Sequence, residues 1–162
     1  MKKCVFSGTF DPPTVGHRDI IDKCLKIFDE VVVAVMQNPE KTPFLSEDER
    51  LGLLKKLYKG EPRVKVRTFG GAAVDLLKEE GTPFYVRGVR NTVDFEYENQ
   101  NHFASKILNS ELITIYIPAE EDKLHVSSSL VRASEKFKKD FKYCIPDQIY
   151  EDLIKILEKK YV

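Results

Sequence analysis

Ser7-Gly8-Thr9-Phe10-Asp11-Pro12-Pro13-Thr14-Val15-Gly16-His17 lies between two patterned segments. Before it, Cys4-Val5-Phe6 is a short apolar run that reads as a first β-strand. After it, Ile20, Ile21, Cys24, Leu25 and Phe28 recur at the spacing of one helix face. The junction is thus a strand, a turn of Gly, Thr and Pro, and a helix that opens on Gly-His. Such a junction suits an anion, because a helix N-terminus offers unpaired N–H groups and the positive end of its dipole. Gly8 and Gly16 let backbone come close to a ligand. Thr9 adds a hydroxyl, and His17 adds an imidazole in the first helical turn. Alone, the segment also fits an ordinary βα turn with a capping threonine and a surface histidine. Its place on the first strand of an alternating chain points to nucleotide chemistry.

The rest of the chain repeats the alternation. Residues 31–36 are a continuous apolar run, as in a strand covered on both faces. Residues 37–45 are a polar loop carrying Lys41, and Ser46 with Glu49 has the form of a capping box opening a helix to about residue 59. Residues 63–69 read as a third strand, Gly70-Gly71 as a turn, and 72–80 as a helix ended by Gly81. Phe84-Tyr85-Val86 is a fourth strand, from which Arg87-Gly88-Val89-Arg90 departs as a turn into a long helix over 91–109. Residues 112–117 form a fifth strand stopped by Pro118. Ser127 caps another helix, and 146–160 is a last one with Pro146 in its first turn. The pattern predicts an α/β fold: a Rossmann-like, doubly wound parallel sheet of five strands with C-terminal helices, in one domain over 1–162. Ligands in such sheets bind past the C-terminal strand ends, near the point where strand order reverses. That edge would gather 9–17, Lys41, 70–73 and 87–90.

Lysines plus arginines number 26 and aspartates plus glutamates 26, so no excess charge points to nucleic acid or a membrane surface. The apolar run after Met1-Lys2-Lys3 is too short for a signal peptide, and no segment approaches a membrane span. Cys4, Cys24 and Cys144 are scattered, with neither metal-ligand spacing nor a disulfide framework, which fits a reducing cytoplasm.

Two arginines around Gly88 can grip phosphate by paired hydrogen bonds. Asp94 and Glu98 follow Arg90 at helical spacing, as i,i+4 partners or, for Glu98, as a ligand for a ribose hydroxyl. Ser127-Ser128-Ser129 offers hydroxyls and helix-terminal N–H groups, and Arg132 lies one turn in. No G-x-G-x-x-G follows the first strand, which argues against a dinucleotide-dependent dehydrogenase.

Taken together, Gly8-Thr9-Phe10-Asp11-Pro12, Thr14-Val15-Gly16-His17, Pro39-Glu40-Lys41, Arg87-Gly88-Val89-Arg90, Asp94-Phe95-Glu96-Tyr97-Glu98 and Ser127-Ser128-Ser129-Leu130-Val131 resemble the bacterial phosphopantetheine adenylyltransferases, of the Thr/His-x-Gly-His nucleotidyltransferase superfamily. The resemblance spans nearly the whole chain. It implies transfer of the adenylyl group of ATP to 4'-phosphopantetheine, with Mg2+. It places Thr9, Phe10, His17, Gly88, Val89, Arg90, Glu98, Lys123, Leu124, His125, Val126, Ser127, Ser128 and Ser129 at ATP. It places Thr9, Lys41, Ala73 and Arg87 at the acceptor, with His17, Lys41 and Arg90 catalytic. His17, Lys41, Arg87 and Arg90 would be the positive groups around the phosphates. It also implies a homohexamer inhibited by coenzyme A. Ser7 stands where the family commonly has proline, a difference of small consequence on this reading, and Ala72-Ala73 where it has bulkier aliphatics. The rivals are another small-molecule nucleotidyltransferase of the superfamily and a non-catalytic nucleotide-binding regulator.

Overall fold

The computed structural model describes residues 1–162. Five strands, β1 (Lys3–Gly8), β2 (Glu30–Met36), β3 (Val64–Phe69), β4 (Phe84–Val89) and β5 (Ile113–Pro118), form one parallel sheet. Their order is β3-β2-β1-β4-β5, so the sheet is doubly wound and reverses between β1 and β4. The helices are α1 (Val15–Ile27), α2 (Glu47–Leu57), α3 (Ala73–Glu80), α4 (Thr92–Leu108), α5 (Ser128–Lys136) and α6 (Asp147–Lys160).

Period-two alternation decides which residues meet which layer. Cys4 and Phe6 of β1, Val31, Val33 and Val35 of β2, and Val86 of β4 pack with Ile20, Ile21 and Cys24 of α1. The opposite face sets Val5, Val32 and Ala34 against Leu76 and Leu77 of α3. A separate cluster joins α5 and α6 to Leu45 and Leu53. All three cysteines are free and buried. No helix is long and apolar enough to cross a membrane.

Local signals set the helix ends. Ser46 accepts the Glu49 N–H while the Glu49 carboxylate accepts the Ser46 N–H, the reciprocal cap that the sequence predicts. Asn91 caps α4 by accepting from Asp94 N. Gly81 ends α3 at φ 66°, a conformation a Cβ disfavours. Pro146 stands at the N-cap of α6, one position before its first turn.

One expectation needs correction. Arg87-Gly88-Val89 is not a turn but the end of β4. Its pairing with β1 stops at Phe6↔Val86, whereas pairing with β5 continues through Arg87↔Tyr116, Gly88↔Ile117 and Val89↔Pro118. The glycine belongs in a strand because α1 comes close there: a Cβ on Gly88 would lie 2.9 Å from Cγ1 of Ile20. Since β4 runs on after parting from β1, a crevice opens at the reversal point.

Gly88→Ala should therefore lower stability by about 1–3 kcal/mol through overpacking against Ile20. The check is a double-mutant cycle in urea: Gly88→Ala with Ile20→Ala should lose less than the two single variants summed. Additive losses would mean that Ile20 is not what excludes the methyl group.

Candidate active site

A cavity of about 580 Å3 occupies this crevice. Fourteen of the predicted residues line it: Thr9, His17, Lys41, Ala73, Arg87, Gly88, Val89, Arg90, Glu98, Lys123, Val126, Ser127, Ser128 and Ser129. Phe10, Leu124 and His125 do not. Phe10, at φ 49°, turns its ring into the core, edge-on to Phe6 at 5.6 Å and to His17 at 4.8 Å. Leu124 is exposed, and His125 is exposed and stacked on Tyr143. Ser7, Tyr85, Asp94 and Arg132 also line the cavity.

The loop after β1 is held rigidly by groups far away in sequence. The buried Asp11 carboxylate accepts the N–H groups of Phe44 at 2.8 Å and Leu45 at 2.7 Å. The buried Arg50 guanidinium donates to the Thr9 carbonyl at 2.8 Å. Arg132 donates to the Asp11 carbonyl at 2.6 Å, and Ser128 Oγ to the Pro12 carbonyl at 2.7 Å. Sequence reading passed over Asp11 and Arg50 as binding-loop supports. Only the burial of a charged residue signals them, and that needs the fold.

Two helix N-termini meet at the cavity. Ser127 takes the Leu130 N–H of α5, leaving the N–H groups of Ser128 and Ser129 on the wall. In α1 the cap is Thr14, which accepts the His17 N–H, and the His17 Nδ1 accepts the Thr14 N–H at 3.0 Å. An amide N–H can bond only to an unprotonated Nδ1, so the neutral ring carries its proton on Nε2. Burial lowers the His17 pKa to about 4, and the positive charges of Arg90 and Arg87 add to the effect. His17 is therefore a neutral N–H donor in the ligand-free protein, not one of the cations counted from sequence.

The arginines are preordered. Arg90 pairs with Asp94 at 3.0 Å, as its helical spacing suggests, and donates to the Val126 carbonyl. Arg87 makes a bidentate pair with Glu98, at 2.8 and 2.9 Å. That pair crosses from strand to helix, so the spacing of Glu98 from Arg90 concealed it. A second cavity of about 770 Å3 adjoins the first and shares Thr9, Lys41 and Arg132 with it. No group of three or more His, Cys, Asp or Glu is arranged to hold a metal ion.

A family model described as cytidylyltransferase-like matches residues 5–134. A phosphopantetheine adenylyltransferase of Nautilia profundicola is 40% identical over 151 residues, 93% of this chain and 98% of that one. One from Dictyoglomus turgidum is 41% identical over 153 residues, 94% of this chain and 96% of that one. A crystal structure from Vibrio parahaemolyticus bearing the name nicotinate-nucleotide adenylyltransferase superposes with a TM-score of 0.71, covering 95% of this chain and 99% of that one. At 21% identity it speaks to the fold alone.

The histidine's state is open to measurement. An unfolded histidine titrates near ~6.5, and His17 at about 4 in the fold. Between these values the unfolded chain binds more protons, so stability falls as pH drops through the window. NMR should show the His17 ring neutral, with the proton on Nε2, down to about pH 5. His17→Ala should flatten the pH slope of the urea midpoint across that range. A ring that titrates near its ordinary value would overturn the assignment.

Proposed function

We infer that this chain, which belongs to the cytidylyltransferase-like family and within it to the phosphopantetheine adenylyltransferases, transfers the adenylyl group of ATP to 4'-phosphopantetheine, giving dephospho-coenzyme A and pyrophosphate. The observation that carries the reading is the cradle itself. Two helix N-termini, a locked histidine Nε2–H, Lys41, Arg87 and Arg90 line one crevice at the reversal point of the sheet.

The acceptor's terminal phosphate is largely dianionic at neutral pH, because its second pKa is about 6. It needs no base. One of its oxygens attacks the α-phosphorus of ATP in line, a P–O bond forms, the bond to the bridging oxygen breaks, and pyrophosphate leaves. The barrier is repulsion between anions and charge growing on the leaving oxygens, so positioning and electrostatics supply most of the catalysis. In this reading His17 donates its Nε2–H to an oxygen of the transferring phosphoryl group. Lys41 and Arg90 balance the growing charge. Thr9 stands between the two substrates. Gly88, Val89, Glu98, the backbone at Phe10 and the segment from Lys123 through Leu124, His125 and Val126 to Ser129 serve ATP, and Lys41, Ala73 and Arg87 serve the acceptor. Mg2+ would arrive with the nucleotide. The nitrogen and hydroxyl donors of the cavity suit an ion carried on triphosphate oxygens and water.

Coenzyme A carries both a pantetheine arm and an adenosine phosphate, so it can span both halves of the cavity as a feedback inhibitor. A homohexamer is supported by α4, which buries no residue and exposes Val93, Tyr97, Phe103 and Ile107. The three free, buried cysteines accord with a cytoplasmic location.

Pyrophosphate release from ATP should follow 4'-phosphopantetheine and neither nicotinate mononucleotide, glycerol phosphate nor unphosphorylated pantetheine. Turnover of pantetheine at a matching rate would contradict phosphate attack, and no turnover at all would favour a regulator. His17→Ala should lower kcat far more than it raises KM for ATP, since its contact strengthens in the transition state. A change in KM alone would assign His17 to ground-state binding.

Ala73→Leu should tighten the acceptor by up to about 0.8 kcal/mol per added methylene that fills empty space. The measure is KM for each substrate, with ATP unchanged. Weaker acceptor binding would mean that the pocket is already full. Separately, Ile107→Asp combined with Phe103→Asp should shift the sedimentation profile from hexamer to smaller species.

A further inference from the structure

Ser7 and Tyr85 have no role in the site as described so far, yet they sit side by side in the cavity wall. Their hydroxyls are 2.7 Å apart, contributed by neighbouring strands, and Ser7 is buried. Both engage Arg87. Its guanidinium lies over the Tyr85 ring, 5.2 Å from the centroid. Its Nη1 donates to the Ser7 carbonyl at 2.7 Å and to the Tyr85 hydroxyl at 3.0 Å, while Nε and Nη2 hold Glu98.

The donors can be counted. An arginine has five N–H groups, and these contacts engage four, leaving one on Nη2. Ser7 and Tyr85 bring two hydroxyl hydrogens, of which their mutual bond uses one. Arg87 cannot take the other, because a guanidinium only donates. Neither hydroxyl has another side-chain partner. The wall therefore presents two unspent donors next to each other, an N–H of Arg87 and one hydroxyl of the pair. A phosphate monoester has oxygens for both.

We propose that Ser7 and Tyr85 are acceptor-binding residues: they fix Arg87 and donate one hydroxyl hydrogen, beside the free Arg87 N–H, to the phosphate of the acceptor. The proposal rests on the acceptor reading above and assigns two further residues to that half of the site. Arg87 alone would offer a single hydrogen bond while Glu98 holds it. The hydroxyl pair makes the recognition two-pronged without breaking the Glu98 clamp.

The test uses the full chain with 4'-phosphopantetheine and ATP, as wild type, Tyr85→Phe, Ser7→Ala and the double variant. Tyr85→Phe keeps the ring under Arg87 and removes only the hydroxyl. The double variant, which has no hydroxyl hydrogen left to give, should raise the acceptor KM and its calorimetric Kd roughly tenfold, the scale of a hydrogen bond to a charged group. The ATP constants should stay within about twofold, inside ordinary context effects. Each single variant should lose less than the double, because the hydroxyl that remains keeps its own hydrogen and no longer spends it on the pair. Acceptor constants unchanged in the double variant would overturn the proposal, as would equal losses for ATP and acceptor, the mark of a merely structural role. Ser7→Pro combined with Tyr85→Phe, proline being common in the family at position 7, keeps the test alive if the first double variant folds poorly, and melting midpoints identify that case. A wild-type chain that converts ATP with a different acceptor would instead remove the functional reading, and this proposal with it.

Discussion

The Asp11 carboxylate ties the loop after β1 to the loop after β2, and the site depends on that tie. It accepts two backbone N–H groups from Phe44 and Leu45, at positions where water has little access. Parting would leave a buried anion unsolvated, which costs several times an ordinary hydrogen bond. Arg50 and Arg132 then fasten the carbonyls of Thr9 and Asp11 from α2 and α5. The turn is thus braced from three directions before any ligand arrives. Thr9 on one loop and Lys41 on the other line one cavity because neither loop can drift from the other. Catalysis by placement needs this kind of advance ordering, since the cost of immobilising the groups is met in folding.

A second constraint concerns the face of the sheet under α3 and α4. Across β2 and β1 that face is apolar, with Val32, Ala34 and Val5 against α3. Across β4 and β5 it becomes polar. Arg87 meets Glu98, Tyr116 meets Asn99, and Thr114 meets His102 at 2.7 Å. The α4 helix is joined to the sheet by polar contacts and by the Phe95–Tyr116 edge contact, and it buries no side chain of its own. It gives up the hydrophobic anchor that other helices have and is held instead by hydrogen bonds and the Arg87–Glu98 ion pair.

What could be read in the sequence follows the range of the interactions. The Ser46–Glu49 cap, the Gly81 stop and the Arg90–Asp94 pair all act within one helical turn or its end, and the spacing of residue types discloses them. The parallel, doubly wound character of the sheet follows from the alternation of strands and helices, whereas the order β3-β2-β1-β4-β5 comes from the fold. The parts that stayed hidden act over distance. Asp11 reaches Phe44, Arg87 reaches Glu98, and Ser7 reaches Tyr85 across 78 positions. Arg-Gly-Val-Arg reads as a turn because its glycine serves a close approach by Ile20, a matter of packing and not of backbone bending. The charge of His17 was likewise beyond reach, since a motif names the imidazole but not the amide that occupies its Nδ1.

The shared role of His17 as helix cap and cavity wall bears on chemical probes for this pocket. With Nδ1 committed to Thr14, the ring can meet a ligand only through Nε2, and there only as a donor. The neighbouring Arg87 and Arg90 are donors too, as are the free amides at the start of α5. An inhibitor scaffold should therefore bring acceptor atoms, such as sulfonyl, carboxylate or azine nitrogen, to this corner. Amines and amide N–H groups placed against Nε2 would face a donor, and would have to reach the Asp94 or Glu98 carboxylate on the same wall to find an acceptor.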